Sequence, residues 1–183
     1  MRGVERRIEA GLNPAVASVA SLFISRWDVA VSGRTPSELS NRLGIAVAQR
    51  TYRAYRELLA SRRFQRLANA GGRPQRLLWA STGSKDPKAS DTLYVDALAA
   101  PFTVNTMPEG TLKAVADHGK PNGVLATDAA DSDRVLASFA KAGIDIDTLA
   151  ARLQDEGAAA FVKSWNDLMS CLESKSTAIR KAK

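Results

Sequence analysis

The groups in this sequence able to do chemistry are few, and the densest set lies in one loop. Residues 81–87, STGSKDP, follow the apolar run QRLLWA at Gln75–Ala80. A loop of Ser and Gly after a buried strand offers backbone N–H groups and hydroxyls to an anion, and Lys85 adds a cation. The nucleotide-binding pattern GxxxxGK(S/T) does not occur in the chain. A nucleophilic lysine needs a depressed pKa. Lys85 and Lys88 fall in the loop, however, and Lys113, Lys141 and Lys163 fall in helical patterns. His118, the single histidine, precedes Gly119 at a predicted helix end, where the helix dipole favours a cation. Cys171, the single cysteine, lies beside Met169 and Leu172 in a helical pattern and reads as packing. It has no internal disulfide partner, which suits a reducing cytoplasmic setting.

Three apolar runs must position these groups. Residues 16–25, VASVASLFIS, form a near-continuous apolar run, the pattern of a strand buried on both faces. Gln75–Ala80 is a second such strand and 102–107, FTVNTM, a third. The first is followed by a predicted loop, 28–35. A helix over 36–69 comes next, with Ile45, Ala48, Tyr52, Tyr55 and Leu59 on one face. Shorter helices are predicted over 91–99 and 109–116. After Gly119 the pattern becomes wholly helical. Val135, Leu136 and Phe139 point inward over 131–140, Asp147 caps a further helix, and a last helix carries Phe161, Trp165, Leu168 and Leu172. The polar segment 174–183 reads as a frayed tail. Strands alternating with helices predict an α/β fold with parallel strands joined by crossover helices.

Composition sets outer bounds. The 183 residues are 45% hydrophobic and 25% charged, a globular balance. No apolar run reaches the length of a membrane span. The N-terminal MRGVERRIEAG lacks the apolar segment of a secretory signal, and Glu5 and Glu9 disfavour a transit peptide. The net charge of +7 permits contact with nucleic acid or anionic metabolites. Its basic clusters lie at 2–7, 50–66, 73–76 and 175–183. A solvated helix face accounts for the second cluster better than nucleic acid does. Aromatic residues are only 6%, and no RNP, zinc-finger or helix-turn-helix signature is present.

Three segments together resemble transaldolase, a Schiff-base transferase family. They are ASVASLFISRWD at 17–28, QRLLWASTGSKDP at 75–87, and SDTLYVDALAAPFTVNTMPEGTL at 90–112 followed by Asp117-His118-Gly119. The third is the most specific, because DTLYV…P.TVNTMP is long and is not explained by amphipathicity. The resemblance is to the bacterial branch whose members are sometimes fused to glucose-6-phosphate isomerase. The resemblance covers residues 1–173 and follows the family's order for barrel strands six, seven and eight. It implies a partial (β/α)8 barrel over 1–119, a helical extension of that domain over 120–173, and a flexible basic tail over 174–183. A closed barrel has eight strands in roughly 250 residues.

The resemblance also implies roles. The family's S.F..R motif lines its site, and here it reads Ser21, Phe23 and Arg26. Arg26 is the expected phosphate ligand, since a guanidinium offers a planar fork to phosphate oxygens and stays charged. Read from the residues alone, Arg26 is a loop arginine paired with Asp28, Ser21 a small core residue and Phe23 a core aromatic. Ser81 and Lys85 join the phosphate set. Lys85 departs from the family, whose cation follows the serine more closely. Asn105 matches the family's TVNTMP without an assigned role. The family's lysine, on strand four, and its acid–base pair, on strands one and three, have no counterpart here. No catalytic residue is therefore expected in this chain, and no activity from it alone. The implied ligands are sugar phosphates, with neither metal nor organic cofactor. The implied partners are an N-terminal half-barrel chain or further copies of this chain. The alternatives are one half of a split enzyme, or a non-catalytic remnant binding phosphometabolites or nucleic acid.

Overall fold

In the computed structural model, which describes residues 1–121, 123–128 and 130–181, three parallel strands pair in the order β1-β2-β3. They are β1 Ser18–Phe23, β2 Gln75–Ala80 and β3 Thr103–Asn105. The register sets Ser18 opposite Gln75, Phe23 opposite Ala80 and Trp79 opposite Asn105. Side chains alternate between faces, so Leu22, Leu77 and Trp79 share one face while Val19, Ser21, Phe23 and Leu78 share the other. The first face is covered. Leu77 and Trp79 join Ile24, Ala48, Tyr52, Tyr55, Tyr94 and Leu98 in the core, and Leu22 packs against them. The second face is largely open, with Val19 at 44% exposure and Ser21 exposed. The first strand was expected to be buried on both faces. It is instead an edge strand with one face covered, because a continuous apolar run records what a parallel strand needs rather than what residues 1–143 supply.

The helices of the first compact unit, Met1–Gly143, are α1 Arg2–Glu9, α2 Ile24–Val31, α3 Leu43–Ala60, α4 Arg62–Asn69, α5 Leu93–Ala97, α6 Glu109–His118 and α7 Ala130–Lys141. α2 begins directly at the end of β1, where the sequence suggested more strand and then a loop. Its spacing explains this: Ile24, Trp27 and Val31, at positions i, i+3 and i+7, are all buried. The apolar residues of the strand and of the helix run together in the sequence and hide the boundary. The long helix expected over 36–69 is a short 3-10 turn at Ser37–Leu39, then α3, then α4. Its predicted face is right, since Ala48, Tyr52 and Tyr55 are buried and Ile45 and Leu59 pack on the core. Ser61 interrupts it in an extended conformation, and its hydroxyl accepts the Phe64 N–H at 3.2 Å to cap α4. β3 is shorter than predicted. Phe102 sits at φ 63°, a left-handed conformation outside strand geometry.

One carboxylate joins three helices. Asp28 of α2 accepts the N–H of Leu43 at 2.9 Å and of Gly44 at 3.1 Å, the first two residues of α3, and the Tyr94 hydroxyl of α5 at 2.9 Å. The residue preceding α3, Arg42, makes no side-chain cap, so Asp28 supplies that cap from another helix. Burial pushes the Asp28 carboxyl above the ordinary aspartate value, and the bonds from Tyr94, Gly44 and Leu43 pull it only partly back. Burial beside Asp28 likewise pushes the Tyr94 hydroxyl far up. Gly44 makes the approach possible. A Cβ there would stand 2.5 Å from the Ile24 carbonyl oxygen and 2.7 Å from Asp28 Oδ2. α3 also holds α7, where Arg53 pairs with Asp133 at 2.8 Å and the inward Leu136 and Phe139 are buried.

The second compact unit, Ile144–Lys183, is built on one helix, α8, Ile146–Lys181. Two helices with a cap at Asp147 were expected. The cap is Asp145, whose side chain accepts the Thr148 N–H at 2.7 Å, and Gly157 lies within a continuous helix. Among the described residues, 174–181 belong to that helix as well. Trp165, Leu168 and Leu172 are 61%, 49% and 53% exposed, on one face at spacings of three and four.

Two outcomes follow. In Asp28→Asn the amide N–H2 must face one of three donors, leaving a buried donor unpaired. Unfolding stability in urea should fall by about 2–3 kcal/mol. Gly44→Ala should cost about 1–3 kcal/mol through backbone displacement. At the end of α6, His118 contacts Asp91 at 2.9 Å and Asp117 at 3.0 Å. These contacts, Asp91 first, raise its pKa above 6.5. A raised folded-state pKa gives stability that is fully present below the unfolded value and lost as pH rises through the folded one. NMR titration should place His118 above 6.5, with Asp91→Asn lowering it; an unshifted His118 would refute the contacts.

Candidate functional site

The carboxyl ends of the three strands lie on the same side of the sheet, where parallel α/β folds collect their ligands. β1 ends in Phe23 and runs straight into α2, so Arg26 occupies the first turn of that helix. Strand alternation puts Ser21 and Phe23 on one face, and the helical step after Phe23 returns Arg26 above it. The guanidinium lies 4.3 Å from the Phe23 ring centroid, within cation–π distance. Stacking restrains a flexible side chain without using the N–H groups that would meet an oxyanion. The spacing S.F..R is thus the spacing that places a serine, an aromatic platform and a cation at one strand end.

Arg26 is not paired with Asp28. Asp28 is buried among its three donors, and among the described residues no carboxylate forms an ion pair with Arg26. The two residues are two positions apart on α2, about 200° around the helix, so they face opposite sides.

Ser81 stands beside this junction. Its carbonyl accepts the Ser25 N–H at 3.1 Å, which ties the end of β2 to the start of α2. Its φ of 53° is left-handed, uncommon for a residue with a side chain. Thr82, missed in the sequence, is fully buried, and its hydroxyl donates to Asn105 Oδ1 at 2.8 Å. This gives Asn105 a part: it links the ends of β2 and β3. A Cβ at Gly83 would lie 3.2 Å from both Pro108 and Thr111, so the bare backbone lets the loop close on α6. Only the position of the threonine between Ser81 and Gly83 hinted at these roles.

Ser21, Phe23, Arg26 and Ser81 therefore gather at adjoining strand ends. Lys85 does not gather with them. It is exposed and lines a separate cleft with Asp28, Gly33, Asn41 and Asp86, a cleft that Phe23, Arg26 and Ser81 do not border. No lysine lies in β1, β2 or β3. Among the described residues no cluster of His, Cys, Asp and Glu could hold a metal ion, and no helix is long and apolar enough to cross a membrane.

The sequence pattern of the Transaldolase/Fructose-6-phosphate aldolase family matches residues 4–172. A protein named Transaldolase from Saccharopolyspora erythraea is 51% identical over 160 residues, 84% of this chain and 44% of the relative. One from Mycolicibacterium smegmatis is 43% identical over 99% of this chain and 51% of its own length. One from Neisseria meningitidis is 42% identical over 93% of this chain and 49% of its own length. The chain spans about half the length of the curated relatives it matches. With an α/β architecture, a small parallel sheet and this breadth of identity, the chain belongs to the Transaldolase/Fructose-6-phosphate aldolase family.

Proposed function

We propose that residues 1–183 form the phosphate-gripping side of a transaldolase active site, equivalent to barrel strands six to eight. The reaction is the transfer of a dihydroxyacetone unit from a ketose phosphate to an aldose phosphate, in the cytoplasmic pentose phosphate pathway. The observation that carries this reading is Arg26, stacked at 4.3 Å on Phe23 at the carboxyl edge of a parallel sheet. The guanidinium receives the phosphate oxygens in a bidentate fork. It lies in the first turn of α2, where the positive end of the helix dipole adds to its charge. Ser21 and the Ser81 hydroxyl border the same strand ends and orient the sugar phosphate.

The covalent step belongs to strands outside these residues. It needs a neutral lysine amine that attacks the donor carbonyl and forms a Schiff base, with an acid–base pair to move protons during dehydration and carbon–carbon cleavage. The strands described here carry no lysine, and the family's chemistry requires neither metal nor organic cofactor. The open face of the sheet supports the same reading. Val19, Ser21 and Leu78 lie on the side that a closed barrel fills with side chains from its other strands.

Residues 1–183 alone should form no covalent adduct when treated with fructose 6-phosphate and borohydride, read by intact mass; an adduct on this chain would sink the assignment. Arg26→Ala should weaken phosphate-ester binding by at least about tenfold. Arg26→Lys should fall between, because it keeps the charge and loses the fork.

A further inference from the structure

A cavity of about 410 Å³ opens at the amino ends of β1 and β2, the opposite end of the sheet from Arg26. Ser18 and Gln75, the paired first residues of the two strands, border it. Ala20 and Leu77 continue its wall along the face that the helices cover. α1, α3 and α4 supply the other sides, and they are tied together. Glu5 of α1 accepts a two-pronged bond from Arg63 of α4 at 2.6 and 2.7 Å. The turn after α4 passes close to α1 at Gly72, where a Cβ would stand 2.9 Å from Val4 Cγ1.

The lining has two parts. The floor is apolar and buried, with Tyr55, Leu67 and Leu77, and the apolar character continues to a rim where Val16 and Leu58 are 43% and 42% exposed. The charged lining is of one sign: Arg7 and Arg73 border the cavity and no carboxylate does. Arg7 donates from Nε to the Asn13 carbonyl at 2.8 Å, which holds the side chain and leaves its terminal N–H groups for another acceptor. Among the described residues neither arginine forms an ion pair. Tyr55 adds a separate sign of an incomplete lining, since its hydroxyl is buried without a hydrogen-bond partner among the described residues. A small inorganic anion would leave the apolar floor and rim uncovered, and an uncharged hydrocarbon would meet neither arginine. We propose that this cavity binds an amphipathic anion, an apolar chain or ring with one acidic head, the apolar part against Leu67 and Leu77 and the head between Arg7 and Arg73. Because the walls come from α1, α4 and the starts of both strands, an occupant braces α1 against the sheet.

The test is amide NMR of the full chain titrated with octanoate, with octanol and acetate as separate arms. The expected result is saturable shifts at Val4, Ser18, Leu59 and Gln75. An Arg7→Gln/Arg73→Gln variant should raise the octanoate midpoint at least about tenfold. Arg73→Gln alone, a change at an exposed side chain that leaves the Arg7–Asn13 bond intact, should raise it by a smaller factor. Arg26→Ala should leave the shifts in place. The proposal is overturned by the absence of shifts at Ser18 and Gln75, by shifts confined to Trp165 and Leu172 of α8, which would be adsorption on exposed apolar side chains, or by a midpoint that both arginine variants leave unchanged. An octanol midpoint equal to that of octanoate overturns it by removing the anion, and an equal acetate midpoint overturns it by removing the apolar part. Arg26→Ala probes the proposed phosphate site and the arginine variants probe this cavity, so the two readings fail separately.

Discussion

Asp28 belongs to α2 by sequence, but its oxygens serve α3 and α5. An interior carboxylate is costly to desolvate, and burial indeed outweighs its hydrogen bonds in setting its titration. The fold accepts that cost because the alternatives are worse. Without it the N–H groups of Leu43 and Gly44 would be buried and unpaired, each costing about 1–3 kcal/mol. The close passage of α2 against α3, which Gly44 permits by lacking a Cβ, would then have no polar tie. The sheet's covered face, the start of α3 and the placement of α5 all pass through this contact.

The consequence for the site is rigidity delivered from behind. Arg26 and Asp28 face opposite ways from one short helix, so the group that anchors α2 is not the group proposed to meet a ligand. The Phe23 ring restrains the guanidinium from below, and the Ser25–Ser81 backbone bond fixes the junction laterally. On the proposed function, backbone bonds, a stacked ring and a buried carboxylate keep the donors in place before the ligand arrives, which reduces the entropy lost on binding.

Much of this was legible in the residues. The strand–helix alternation, the inward face of α3 and the S.F..R spacing are short-range patterns, and each reports on one element at a time. The start of α2 was not legible, because Ile24 continues the apolar run of β1 while also opening the helical set with Trp27 and Val31. The role of Asp28 was not legible either. Its partners lie 15, 16 and 66 positions away, and the position where a cap is normally sought holds Arg42. Lys85 looked like a companion of Ser81 because both lie in one loop. Loop spacing does not say on which side of α2 a side chain emerges, so the placement of Lys85 in the cleft with Asp28 and Asn41 needed coordinates. The openness of the sheet's second face was hidden for a related reason: apolar character in β1 tells that a cover is wanted, not where it comes from.

The left-handed backbone at Ser81 carries a consequence of its own. Only glycine adopts that conformation without steric cost, yet the chain keeps a side chain there, at the strand end beside Arg26. On the role proposed for Ser81, the residue is a point of trade-off between folding and function. A glycine would relax the turn and stabilise the unliganded protein, while removing the hydroxyl proposed to orient a sugar phosphate. Selection for thermal robustness alone would drift toward glycine at this position, and selection for the proposed ligand contact would hold the serine against it.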